Sequence, residues 1–159
     1  MRHRKIGFVE ITGAGQPRLA EPSALEGTAG FFEIWSPRVL SVLRIVTALL
    51  FMMHGTAKLF HIPHQAMFDN LQLMSLLGLQ GVLEAGGGLL LLVGLFTRPV
   101  AFILCGDMAV AYFMSHFPKG WLPILNGGDL AVLFCFVFLY LWAAGAGPWS
   151  IDARLRRSA

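Results

Sequence analysis

Residues 37–60, 78–97, 99–117 and 127–145 are almost unbroken apolar runs, and polar residues gather between them and at the two ends. Each run is close to the ~20 residues that a helix needs to cross a hydrocarbon layer of about 30 Å. Lipid offers no partner to unpaired N–H and C=O groups, so an open strand could not survive there and helices are the default. The pattern predicts an all-α membrane protein, a four-transmembrane-helix bundle. Pro37 suits an opening helical turn, and Pro99 disfavours helix at Arg98, which separates the second run from the third. Residues 1–36 read as a polar, flexible tail, residues 37–146 as the membrane domain and residues 147–159 as a basic C-terminal tail. Phe31, Phe32 and Trp35 fall just before the first run, where an interfacial aromatic belt belongs.

Composition sharpens this picture. Hydrophobic residues make up 56% of the chain and charged ones 13%, against about 25% charged in a soluble domain. That leaves too little polar surface to cover a water-facing globule, and far too much apolar content for disorder. No apolar core of secretory-signal length occurs near the N-terminus. The net charge of +3 is modest, and its distribution carries topology before it suggests any nucleic acid. Arg2, Arg4, Lys5, Arg18 and Arg38 precede the first span, Arg154, Arg156 and Arg157 follow the last, and Arg98 occupies the second connection. The other loops hold only Lys58, at a span end, and Lys119. The positive-inside rule then places both termini and Arg98 on the cytoplasmic side. The loop near residues 61–77 faces outside, and Met67, Leu71 and Met74 on one helical stripe suit a segment lying along the membrane surface.

Ionisable groups inside the spans are the candidates for chemistry, because charge at membrane depth is expensive and turns toward a bundle interior or a wet cavity. At ~1.5 Å per residue, Arg44 lies about 9 Å from the inner surface, His54 about 24 Å and Lys58 about 30 Å. The spacing places all three on one helix face. Glu84 falls about 9 Å below the outer surface, while His116, Asn126 and Asp129 come near the outer ends of the third and fourth spans. His54, Lys58 and Glu84 are the expected chemical centre, with His116, Asn126 and Asp129 beside it lining a pocket for a polar headgroup or ring. The bland alternative is an internal salt bridge that fixes helix register. Asp107, about 14 Å from the inner side, lies close in depth to Arg44, and a structural Arg44–Asp107 ion pair is expected.

Cys105 and Cys135 show no CxxC or metal-type spacing, so no metal site is expected. Depths counted from opposite membrane faces leave about 8–10 Å between them, beyond the roughly 7 Å Cα limit of a disulfide. Gly81, Ala85, Gly86, Gly87 and Gly88 strip one side of the second helix, which favours close helix packing in lipid. The aromatics of the fourth run face lipid or pack.

Several of these residues form a recognisable series. His54-Gly55-Thr56-Ala57-Lys58 resembles the HGxxK signature of the DoxX family of bacterial inner-membrane proteins. Glu84-Ala85-Gly86-Gly87 followed by Gly94-Leu95-Phe96-Thr97-Arg98 resembles its ExxGG…GLxTR pattern, and Asn126-Gly127-Gly128-Asp129 its NGG[ED] turn. Residues 147–152, Gly-Pro-Trp-Ser-Ile-Asp, resemble its C-terminal ending. The similarity covers residues 38–155 in order and leaves the tail unmatched. It implies a four-helix membrane bundle and a link to respiratory or sulfur-compound quinone oxidoreduction.

Three functions compete at this stage. The first is a subunit of a quinone-linked oxidoreductase, with quinone as cofactor, His54 and Glu84 handling protons and Lys58 stabilising negative charge on the ring oxygen. Its partners are the lipid bilayer and redox-complex subunits or further copies of the chain. The second is a non-catalytic scaffold that stabilises a partner complex. The third is a small solute-binding or transport protein, disfavoured because four helices leave little room for alternating access.

Overall fold

A computed structural model describes the backbone of residues 24–158 and the side chains of residues 30–158; the expected tail lies outside the described residues up to position 23. Two units are distinguished, residues 1–33 and residues 34–159. Of the first, Ala24 to Glu33 is helical. The second is the bundle.

The elements are α1 (Ala24–Phe60), α2 (Leu76–Val93), α3 (Thr97–Ala111), α4 (Pro123–Asn126), α5 (Asp129–Ala144) and α6 (Ile151–Ser158), and among the described residues there is no strand. α1 begins at Ala24 rather than at Pro37, which lies inside the helix. Residues 24–36 contain no proline and only two glycines, so nothing local stops the helix there. Ser75 caps α2, its hydroxyl accepting from the Gly78 N–H at 3.2 Å. Gly94 ends α2 in the left-handed region at φ 69°, a conformation that suits glycine. α3 continues through a wider turn, Tyr112–His116, and a tight one, Phe117–Lys119.

Three helical stretches are long and apolar enough to cross a bilayer: Gly30–Phe60, Leu76–Val93 and Thr97–Lys119. The fourth expected span is α5, an apolar helix of 16 residues, or about 24 Å at 1.5 Å per residue. Ala48, Phe51, Leu91, Ala101, Leu104, Met108, Phe134, Phe138 and Leu141 make the core. Phe51 meets Phe134 and Phe138 edge-on, with ring centres 5.2 and 4.8 Å away. Leu49, Leu50, Val82, Phe102, Ile103, Leu133 and Phe136 are exposed. Apolar side chains thus cover the outside as well as the inside, as a lipid-facing surface requires.

One end of the bundle is tied by Arg44, which is fully buried. Its Nε donates to the Ala146 carbonyl at 2.9 Å, one terminal nitrogen to the Leu91 and Leu92 carbonyls (2.7 Å to Leu92), and the other to Trp149 at 2.6 Å. This corrects the expected Arg44–Asp107 pair, because no salt bridge joins the two among the described residues. The last carbonyls of α2 have no intrahelical partners, and a guanidinium with five donors can serve them together with the 146–149 loop. At the same end Asp152 caps α3, its two carboxylate oxygens accepting from the Phe96 and Thr97 N–H groups at 2.9 Å each.

The cysteine geometry also corrects the expectation. The sulfurs of Cys105 and Cys135 are 3.6 Å apart. Measured from the helix ends that meet at Asp152 and Ala146, both lie at about 12–14 Å. The error came from counting one of them from the opposite face across a full 30 Å.

Candidate functional site

The buried face of α1 contains Ser41, Arg44, Ala48, Phe51, Gly55 and Lys58, spaced three or four residues apart. Gly55 lets this face meet α2: a β-carbon there would lie 2.8 Å from the Gly81 carbonyl oxygen and collide with the Ala85 nitrogen. Gly88 performs the same service opposite Met52, and Gly87 opposite Leu104 of α3. The glycines of α2 are packing positions, as expected, except Gly86, which faces open space.

Close approach at Gly55 lets Lys58, one turn further along α1 and beside Gly81, reach Glu84 of α2. Lys58 Nζ lies 2.7 Å from Glu84 Oε1, a charge-assisted contact with side chains only 7% and 4% exposed. Lys58 also donates to Gln80 Oε1 at 3.2 Å. The buried Phe68 ring, from the short turn Ala66–Phe68 in the α1–α2 loop, stands 5.9 Å from the ammonium. Asp107 reaches in from α3, close enough to interact electrostatically with both Lys58 and Glu84. Glu84 Oε2 and Asp107 Oδ2 are both buried without a hydrogen-bond partner. The contact thus leaves two carboxylate oxygens without partners in a low-dielectric setting, where an unmet polar atom is costly.

His54 is half-buried one turn from Lys58, within reach of its charge, with its ring edge against Phe134 at 6.1 Å. The expected trio thus converges, with Lys58 and Glu84 in contact and His54 alongside. Gln80 and Asp107 are the members not assigned to this centre from sequence. Gln80 had a usable signal, since it precedes Glu84 by four positions and so shares its face.

Two of the other three expected residues, His116 and Asn126, organise a loop instead. Asn126 donates to the Gly120 carbonyl at 2.6 Å and accepts from the Gly128 N–H at 2.8 Å, while His116 Nδ1 lies 3.2 Å from the Asn126 carbonyl. Their described bonds run within the α3–α5 connection, not to Lys58 or Glu84. Asp129 is exposed in the first turn of α5. Two clefts, of about 300 and 500 Å³, flank Arg98 with Asp152 and Pro37 with Tyr140, at the Arg44 end of the bundle. The Lys58 and Glu84 side chains, by contrast, are buried.

The profile of the DoxX family matches residues 39–117. An uncharacterised protein of Haemophilus influenzae is 44% identical over 129 residues, which are 76% of this chain and 92% of that protein. An uncharacterised membrane protein of Mycobacterium tuberculosis is 30% identical over 167 aligned positions, covering 94% of this chain and 95% of its own. No solved structure matches.

Proposed function

The chain belongs to the DoxX family of membrane proteins, and from that premise we propose that it is a component of a quinone-linked redox system in a bacterial cytoplasmic membrane, with Lys58, Glu84 and Asp107 holding and releasing a proton. One observation carries this reading: two buried carboxylate oxygens, Glu84 Oε2 and Asp107 Oδ2, stand without a hydrogen-bond partner, with Glu84 in contact with the Lys58 ammonium. A proton held there neutralises the cluster. Quinone reduction takes up two protons with two electrons, so a buried acid that can load and unload serves it directly. Lys58 is suited to stabilise negative charge on a ring oxygen, and His54 extends the proton-bearing set by one turn. In this reading α5 is the fourth crossing, the Arg44 end with Arg98, Arg154, Arg156 and Arg157 is cytoplasmic, and the cluster lies in the outer half of the membrane.

The test is purified protein in lipid nanodiscs, analysed for bound quinone and for quinone-dependent turnover with a quinol or thiosulfate donor. Turnover that falls at least tenfold in E84Q and D107N, at unchanged protein level, supports the reading. Absence of bound quinone and of turnover in the parent protein overturns it.

A second reading, a non-catalytic scaffold for a partner complex, draws support from the burial of the Lys58–Glu84 contact, as a structural ion pair would be. A gentle detergent pull-down separates the two, because a scaffold retains its companion even when Glu84 is neutralised.

A further inference from the structure

Cys105 on α3 and Cys135 on α5 are the only two cysteines of the chain. They are thirty positions apart in sequence, yet their sulfurs touch at 3.6 Å, as free thiols. α3 and α5 pack along their length, so the contact is held by the helices rather than by a mobile loop. Leu104, Met108, Phe134 and Phe138 beside them are core residues that hold the helix positions. Both thiols are half-buried, and the adjoining Phe102, Ile103, Leu133 and Phe136 are exposed on the apolar outer surface. Gly106, next in sequence, is exposed, with open space where a β-carbon would stand. A planar ring dissolved in lipid can approach there, whereas a charged aqueous thiol such as glutathione is kept out by the hydrocarbon. A disulfide needs sulfurs at ~2.0 Å, so closure calls for about 1.6 Å of sulfur movement, within reach of side-chain rotation.

We propose that Cys105 and Cys135 form a redox-active dithiol that closes to an α3–α5 disulfide, passing its electrons to a lipid-dissolved quinone. Two S–H bonds break and one S–S bond forms. Two electrons and two protons move to the quinone, two O–H bonds form on it, and it leaves as quinol. The choice of acceptor rests on the quinone-linked reading above; the closure of the pair does not. The plain alternative is two small apolar side chains filling space, and it predicts no closure under any oxidant.

The experiment uses the full chain in anaerobic nanodiscs, exposed either to diamide or to a short-chain benzoquinone. The reaction is stopped with acid, and free thiols are counted with a maleimide–polyethylene glycol reagent in denaturing detergent. The expected result is joint loss of both thiols within one monomer, reversal by dithiothreitol, and one quinol formed per disulfide. C105S and C135S each leave the remaining thiol labelled and form no quinol. If both thiols stay labelled after diamide, the pair does not close and the proposal is overturned. Closure by diamide with none by quinone overturns the electron transfer. The quinone-linked reading fails on a different readout, loss of turnover and of bound quinone, so the two failures are distinguishable.

Discussion

Gly55 of α1 lies against Gly81 of α2 so closely that a β-carbon on Gly55 would stand 2.8 Å from the Gly81 carbonyl oxygen. This contact is backbone on backbone, with no flexible side chain to give way. It fixes the separation across which Lys58, one turn further along α1, meets Glu84.

Gly55→Ala should therefore act at a distance from its own position. Overpacking of this kind costs about 1–3 kcal/mol. Thermal unfolding in detergent should show the loss, and cross-linking between positions 58 and 84 should fall with it. Gly86→Ala, which meets open space, should leave both readouts near the parent value.

Lys58→Met should destabilise the bundle strongly, since removing one partner of a buried pair costs about 3–5 kcal/mol. The expected pattern is non-additive: K58M/E84Q should recover part of the protein level lost in K58M alone. Immunoblotting of membrane fractions measures this, and equal losses in single and double variants would count against an isolated buried carboxylate as the cause.

Arg44→Met should abolish accumulation of folded protein. Each carbonyl left buried and unpaired costs about 1–3 kcal/mol, and the guanidinium serves four. Arg44→Lys restores a charge but not the planar fork, so rescue should be partial. Protease resistance in membranes distinguishes the three proteins.

Asp152 predicts an acid limit. Burial raises its carboxyl, but the Thr97 and Phe96 hydrogen bonds and the nearby Arg156 outweigh that and hold it below the usual carboxylate value. A depressed folded-state value contributes stability that is present above the unfolded value, near ~4, and is lost as pH falls through the folded one. D152N should unfold at lower temperature at neutral pH, and its difference from the parent should shrink in acid. A constant difference at every pH would contradict the charge as its source.

How much of this was legible beforehand depended on what kind of information each residue needed. The inward face of α1 followed from spacing alone, because Arg44, Phe51 and Lys58 repeat with the helix. Depth put Lys58 and Glu84 within about 9 Å of each other in the outer half, and a small-residue stripe indicated close packing. Direction around a helix axis was missing, so Asp107 was assigned to Arg44 by depth although it turns toward Lys58. The partners of Arg44 were backbone carbonyls, which leave no mark on a sequence. His116 and Asn126 were located near the right end, but as pocket residues rather than as the ties of a loop. The Cys105–Cys135 contact was missed for want of the true length of α5.

Arg44 leaves the ribosome 102 residues before Ala146 and 105 before Trp149, two of the groups it binds. The α3 cap arrives later still, with Asp152. Until those residues are made, the buried cation keeps only the Leu91 and Leu92 carbonyls, and the start of α3 goes uncapped. The nascent protein is thus an open assembly that becomes sealed only with its closing segment, and a product cut short before residue 146 lacks half of the Arg44 acceptors together with the α3 cap.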